Sequence, residues 1–173
     1  LYSDGRFDYS NIPVYLQDKL EGMNFEEDPI PEVVSLGSHH KESYFIQFAD
    51  GTQSYRNLPE NLESHIEKSN SKVDIIGFGN DGTWDNYYVR FFNGNVYKSL
   101  QKKLKKKLKK KYRDLKISSV SFGSYRGRTS YAVNFSNGHQ TAAMKSDTFH
   151  NDYYRTAPEY VVVGDEGDYI MMQ

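Results

Sequence analysis

One segment of this chain concentrates positive charge at a spacing typical of a helix. Residues 102–116 carry ten Lys or Arg and one Asp, whereas the rest of the chain carries 12 basic and 22 acidic residues. Leu100, Leu104 and Leu108 recur at helical spacing, which predicts a helix docked by leucines with a cationic outer face. Such a face attracts nucleic acid, an anionic membrane surface or an acidic protein. The candidate anion-contacting residues are Lys102, Lys103, Lys105, Lys106, Lys107, Lys109, Lys110, Lys111 and Arg113.

A second group of candidate contact residues lies in short segments between predicted strands. These segments differ most from one another, and Trp and Arg often dominate binding hot spots. Variable segments that carry these residues are typical of a composite site for a peptide or a sugar. The alternative is that the segments are ordinary surface turns and that the Trp packs at a sheet edge. The candidates are His39, His40, Trp84, Tyr125, Arg126 and Arg128.

The paired histidines also raise the question of a metal site. His39 and His40 could combine with the acidic residues Asp165, Glu166 and Asp168. Adjacent residues on an extended chain point to opposite sides, so one such pair rarely supplies two ligands to one ion. We therefore predict no metal.

The segment Gly77 to Gly82 matches the dinucleotide-binding pattern GxGxxG. That function needs a helix to begin at the glycines, so that its amide groups can hold a pyrophosphate. The segment is followed instead by TWDNYYVRFF, which predicts a strand. We interpret it as a hairpin loop and predict no cofactor.

Other signatures of catalysis are missing from the sequence. It contains no GxSxG, HExxH or Walker pattern, and no cysteine that could act as a nucleophile, thiolate ligand or disulfide. We predict that the protein is not an enzyme. No apolar run approaches the ~20 residues that span a bilayer. The lack of cysteine and of a visible signal peptide favours the cytosol or nucleus, although an extracellular protein without cysteine is also possible.

The elements that would carry these residues form a repeat. The glycines Gly5, Gly51, Gly94 and Gly138 are 46, 43 and 44 residues apart, and each follows an Asp or Asn. An Asp-Gly or Asn-Gly pair between apolar runs predicts a hairpin with a type I′ turn. Earlier glycines recur at Gly37, Gly77, Gly123 and Gly164, and a tyrosine follows the turn at Tyr9, Tyr55 and Tyr97.

Each repeat therefore predicts a strand, a hairpin strand, a third strand and a short helix. We place full units at 32–72, 73–116 and 117–158, with half-units at 1–24 and 159–173. A unit of this size cannot bury its apolar face alone, so units must stack in an array or close into a ring. We predict one domain over residues 1–173, mainly β with short helices. The half-units would close a four-unit ring, unless the chain belongs to a longer array.

The repeat resembles a blade of a β-propeller. The segment YFIQFADGTQSYRNLPENL, from Tyr44 to Leu62, is also similar to fungal repeat proteins with the pattern YFVxxxDGxxxWxxLP, with Tyr where those proteins carry Trp. The resemblance implies a propeller-like scaffold and no known activity. A helix takes the place of the fourth strand of a standard blade. The Gly-His…Trp-Asp signature that WD40 blades repeat is also absent, since Gly138-His139 and Trp84-Asp85 occur once each and in different units.

We expect a non-catalytic binding or scaffold module that contacts a partner through the variable loops and the lysine-rich helix. Three alternatives stay open. A self-assembling structural protein would dock its basic helix on the acidic body of another copy. A glycan-binding lectin would show identical ligand-facing residues in every unit. A binder of nucleic acid or an anionic surface through 102–116 would show a steep salt dependence.

Overall fold

The computed structural model describes residues 14–24, 27–37, 42–80, 85–125, 128–144, 147–156, 158, 160–163 and 169–172, some of them by backbone alone. It shows a mainly β fold with short helices, as the sequence predicts. The elements are α1 (Val14–Glu21), β1 (Pro31–Leu36), β2 (Tyr44–Phe48), β3 (Gln53–Arg56), α2 (Glu60–Glu67), β4 (Val73–Asn80), β5 (Asp85–Phe91), β6 (Val96–Ser99), α3 (Lys102–Lys110), β7 (Ile117–Tyr125), β8 (Arg128–Phe135), β9 (Gln140–Ala143), α4 (Asp147–Thr156), β10 (Tyr160–Val163) and β11 (Tyr169–Met172).

The strands form small antiparallel sheets in chain order. Three sheets have three strands each, β1-β2-β3, β4-β5-β6 and β7-β8-β9, and β10 pairs with β11 alone. We call the three-stranded sheets, each with the helix that follows it, units 1 to 3, and the β10-β11 pair unit 4. Among the described strands no ladder joins one sheet to another, so the closed ring predicted from the half-units is not established by strand pairing.

The turns after the middle strands explain why glycine recurs there. Gly51, Gly94 and Gly138 have φ of +88°, +88° and +82°, a region that disfavours other residues. The preceding Asp50, like its counterparts, is not in that region, so the predicted type I′ turn was wrong. The Gly51 amide donates to Phe48 O at 2.8 Å, and the Asp50 carboxylate accepts from the Thr52 amide at 2.8 Å. A type I turn followed by a left-handed glycine, with the Asp side chain closing it, accounts for the geometry.

The strand register defines the repeat more accurately than the glycines do. Leu36 pairs with Tyr44, Phe78 with Tyr87 and Phe122 with Tyr131. The glycines that directly follow Leu36, Phe78 and Phe122 are Gly37, Gly79 and Gly123. The prediction that aligned Gly77 with Gly37 and Gly123 was therefore wrong. Gly77 has a different role: a Cβ there would lie 2.5 Å from Val120 O of β7, so only glycine lets β4 and β7 approach this closely.

Each helix packs on the sheet that follows it in the chain. Leu16 and Leu20 of α1 lie against β2, and Leu62 and Ile66 of α2 lie against β5. The same two positions dock α3 on β8 and α4 on β10. These docking residues are Leu104, Leu108, Phe149 and Tyr153. Because every helix docks through the same positions, the array is held by a repeated contact, and most apolar burial lies between units.

The middle strands are buried on both faces. In β5, Tyr87, Val89 and Phe91 face unit 1, while Tyr88 faces unit 3. The first strands β1, β4, β7 and β10 adjoin one another in that order. Polar side chains of the middle strands bridge these contacts, as described below.

Candidate functional site

The lysine-rich helix α3 is anchored by few apolar residues. Leu104 is completely buried against β8, and Leu108 is half-buried beside it. Beyond the helix end, the Tyr112 ring stacks on Phe135 with centroids 4.7 Å apart. The Tyr112 hydroxyl lies 3.4 Å from Gln140 O, to which it donates. These contacts fix the helix on unit 3 and leave the rest of its surface to solvent.

All nine predicted anion-contacting residues are exposed on α3 and the turn that follows it. The salt bridges among the described residues are Lys72–Glu32, Arg90–Asp74 and Arg155–Asp152, so none involves these nine cations. Lys107 makes the closest polar contact, with Nζ 3.4 Å from Thr141 Oγ1, and it also lies 5.9 Å from the Tyr131 ring centre. The structure therefore brings the predicted cations together on one surface, without carboxylate partners in the described part of the chain.

The other helices show that docking does not require this charge. α2 has the sequence ENLESHIE and docks through the same positions with three glutamates and no lysine. Lysines three and four residues apart repel one another and weaken an isolated helix. Apart from Lys107, which contacts Thr141 and the Tyr131 ring, the lysines of α3 thus lower helix stability without contributing to the docking contact. A requirement of folding does not explain them.

A groove runs beside α3, between units 2 and 3. Its volume is about 500 Å³. Cations form its rim, whereas its floor is apolar and contains no carboxylate. The exposed rim residues are Lys98, Lys105, Lys109, Arg113 and Lys116, and the other lining residues are Tyr88, Val96, Leu100, Leu108, Tyr112, Leu115, Ile117, Phe135 and Arg90, which is paired with Asp74. Lys98 and Lys116 were not among the predicted contacts, and both lie outside α3, on β6 and directly before β7.

A second cavity lies where the four first strands meet. It measures about 430 Å³ and is lined by residues of β1, β4, β7 and β10. Its charged groups are largely paired: Arg90 Nε donates to Asp74 Oδ2 at 2.6 Å, and Arg90 Nη1 donates to Ile117 O at 2.7 Å. The paired groups give this cavity less capacity for an external ion than the groove beside α3.

Arg90 belongs to a set of bridging residues that the sequence analysis missed. Gln47 Nε2 donates to Val73 O at 3.0 Å, and the Val73 amide donates to Gln47 Oε1 at 2.8 Å. Asn134 Nδ2 donates to Pro158 O at 2.8 Å. Each bridging residue lies four positions before a turn glycine and holds the start of the next unit's first strand. A polar residue recurring inside an apolar strand was the signal that could have revealed them.

Tyr153 and His65 are among several aromatic residues with a shifted pKa, and neither has a catalytic partner in the described residues. The Tyr153 hydroxyl donates to Asn134 Oδ1 at 2.5 Å and lies 3.1 Å from Val133 O, and burial raises the pKa of Tyr153. The His65 ring stacks on Tyr97 with centroids 3.9 Å apart. Burial, and then the nearby Lys68, lowers the pKa of His65. Both contacts connect neighbouring elements and are explained by packing.

The predicted loop contacts lie largely outside the described residues. His39, His40, Trp84 and Arg126 are not described, and Tyr125 and Arg128 are described by backbone only, as paired residues at the ends of β7 and β8. A loop binding site therefore stays a prediction. The strand β4 continues through Gly77 and Gly79, which agrees with a hairpin there and leaves no helix start for a pyrophosphate. Within the described ranges, no three His, Asp or Glu residues are arranged to hold a metal.

Comparisons of this chain with protein-family models, curated proteins and solved structures found no match. Among the described residues, no helix is both long and apolar enough to cross a membrane. The physical properties of the surface itself must therefore support a functional proposal.

Proposed function

We propose that this chain is a non-catalytic binding module in which α3 presents a cationic surface to an anionic partner. The observation that carries the proposal is the set of nine exposed Lys and Arg residues without a carboxylate partner in the described structure. Such a concentration of one sign of charge accelerates and strengthens binding to the opposite sign, most of all at low salt.

The scaffold for this surface is proposed to be a propeller-like ring of four units. Four first strands surround one cavity, and α1 docks on unit 1 as each later helix docks on the following unit. This arrangement would let the terminal half-units complete one blade and would remove free sheet edges. The variable loops at one end of such a ring would supply further partner contacts.

The proposal can be tested with fluorescein-labelled polyglutamate and fluorescence anisotropy across a range of salt concentrations. The variant K103Q/K106Q/K110Q removes three exposed cations of α3 and is expected to bind roughly tenfold more weakly at low salt. The matched control K19Q/K68Q/R155Q removes one exposed cation from α1, one from the C-cap of α2 and one from α4. Equal weakening by both variants, or no binding by the native chain, would contradict the proposal.

A labelled single-stranded oligonucleotide of equal charge separates a protein-like partner from nucleic acid. Nucleic acid binding would benefit from stacking of bases on exposed aromatic rings. Along the α3 surface, however, Tyr112 is buried. We therefore expect the oligonucleotide to bind no more tightly than polyglutamate. Clearly tighter binding of the oligonucleotide, lost in K103Q/K106Q/K110Q, would reassign the partner to nucleic acid.

Self-assembly is a second candidate, supported by an incompletely covered face of unit 1. Val34 of β1 is 45% exposed, whereas its counterparts Ile76, Val120 and Val161 are at most 9% exposed. Exposed acidic residues lie on α1, on the segment that follows it and on β1, namely Asp18, Glu21, Glu27, Asp28 and Glu32. The basic α3 surface of another copy has the complementary charge, and the contact would be head-to-tail. Light scattering that shows a monomer at high concentration and low salt would exclude it.

A further inference from the structure

The groove beside α3 occupies a space that is filled in unit 1. There the Tyr55 ring stacks on Phe45, with centroids 6.4 Å apart and planes at 14°. The Tyr55 hydroxyl lies 3.4 Å from the Glu67 carboxylate of α2, to which it donates. This aromatic side chain, held by a helix carboxylate, covers the junction between the third strand and the helix.

The strand register identifies the counterparts of these residues in unit 2. Tyr55 pairs with Phe45, and Lys98 pairs with Tyr88, so Lys98 takes the place of Tyr55. Glu67 lies eight positions after the N-cap of α2, and Lys109 lies eight positions after the N-cap of α3. A Tyr–Glu pair is thus replaced by two lysines, which repel each other. Both are exposed and line the open groove.

Unit 3 closes the same place in another way. Its counterpart of Tyr55 is the small residue Ala142, and its counterpart of Glu67 is Tyr154 of α4. The Ala142 amide donates to the Tyr154 hydroxyl at 3.3 Å. A tyrosine therefore lies at this junction in units 1 and 3, from the strand in one and from the helix in the other. Unit 2 has two cations there and an open groove of about 500 Å³.

We propose that this groove binds an acidic segment of a partner protein that carries apolar side chains among its carboxylates. This inference rests on the function proposed above and specifies the partner of the same surface. The carboxylates would pair with Lys98, Lys109 and Arg113 at the rim. The apolar side chains would cover Leu108 and Leu115, which are half-buried in the free protein.

The apolar floor favours a protein segment over a nucleic acid strand. The phosphates of a nucleic acid could pair equally well with lysines on the outer face of α3, such as Lys103 and Lys106, which do not line the groove. Bases would need an open aromatic face. The Tyr112 and Phe135 rings are instead buried and stacked on each other. Aliphatic side chains beside cations match a ligand with aliphatic side chains beside carboxylates.

Two labelled peptides of equal charge test the inference by fluorescence anisotropy. One repeats Glu-Glu-Leu four times and the other repeats Glu-Glu-Ser four times. The variant K98Y/K109E places the unit 1 pair in unit 2 and should fill the groove. The control K103E/K106Y makes the same change in charge on the outer face of α3, outside the groove. Thermal unfolding of both variants checks that they fold, and K98Y alone serves if the double variant does not.

We expect the native chain and K103E/K106Y to bind the leucine peptide about tenfold more tightly than the serine peptide, which corresponds to burial of about one leucine side chain. K98Y/K109E should lose this preference. Equal binding of the two peptides by the native chain, or a preference retained in K98Y/K109E, would overturn the groove inference. In that case the polyglutamate experiment would still test, by itself, whether the α3 surface binds an anionic partner. If the native chain bound neither polyglutamate nor either peptide, both proposals would be overturned.

Discussion

Two junctions between units share their docking and bridging contacts but differ in the residues that line the space beside the helix. The first junction joins units 1 and 2 through α2, and the second joins units 2 and 3 through α3. Both place leucine or isoleucine at the same two helix positions, although Leu108 in the second junction is only half-buried. Both also bridge the sheets with a polar residue of the middle strand. The first junction is closed by Tyr55 and Glu67, whereas the second is open and cationic. Because the shared positions hold the fold, the positions that differ are free to serve binding.

The largest effect is expected where the two junctions are the same. Leu62 and Leu104 are each completely buried at the equivalent helix position. Replacing either by Ala removes the same apolar contact and leaves a cavity, so each should lower the free energy of unfolding by about 2–5 kcal/mol. Urea denaturation measures both. If L104A cost much less than L62A, the second junction would not depend on docking of α3.

The next largest effect concerns the bridging residues, whose replacement should destabilise the first junction more than the second. Gln47 and Val73 are completely buried, so Q47M would leave the Val73 amide and carbonyl without partners and without water. The side chains of Arg90 and Asp74 are 11% and 27% exposed. Water can therefore replace some of the hydrogen bonds to Asp74 and Ile117 O that R90M removes. We expect Q47M to lower the unfolding free energy by about 1–3 kcal/mol, and R90M by less. Urea denaturation giving the reverse order would contradict this explanation.

A smaller difference in stability is expected from reversing one charge on α3 and one on α2. Lys106 has lysines three and four residues away on both sides, so K106E should stabilise the protein by about 1 kcal/mol at low salt. In α2, E63K would pair with Glu60 and Glu67 but would place a cation in the first turn, where the helix dipole disfavours it. We expect its effect to be near zero. Thermal unfolding at low and high salt checks this, and a K106E gain that persists at high salt would not be electrostatic.

The smallest effect concerns the pH dependence of the first junction. The pKa of His65 lies below its ordinary value of 6.5, mainly because of burial, so the folded protein favours the neutral ring. Well above pH 6.5 both states hold neutral histidine and the full stability is present. As the pH falls below 6.5, the unfolded state takes up a proton first and the free energy of unfolding decreases. Comparison with H65Q, which should lack this component, measures it; identical pH profiles would contradict the assignment.

The sequence predicted the second junction only in part. It gave the helix and its nine cations, because a pattern of leucines within one segment is local information. It misassigned the third strand of unit 2, where Tyr97 was aligned with Tyr55. Tyr97 instead stacks on His65 of the preceding helix, and Lys98 occupies the equivalent place. A shift of one residue moves every side chain of a strand to its opposite face, and a short exposed strand carries little pattern to set the register.

By itself, the sequence determined the period, the mainly β class, the hairpin glycines and the cationic amphipathic helix. Each of these follows from residue types within a few positions of one another. The tertiary structure alone decided which side chains meet across the junctions, including the Gln47 bridge to Val73 and the groove left open by Lys98. These contacts join residues of different elements, mostly from neighbouring units. Their geometry depends on strand register and packing between sheets, which no local pattern encodes.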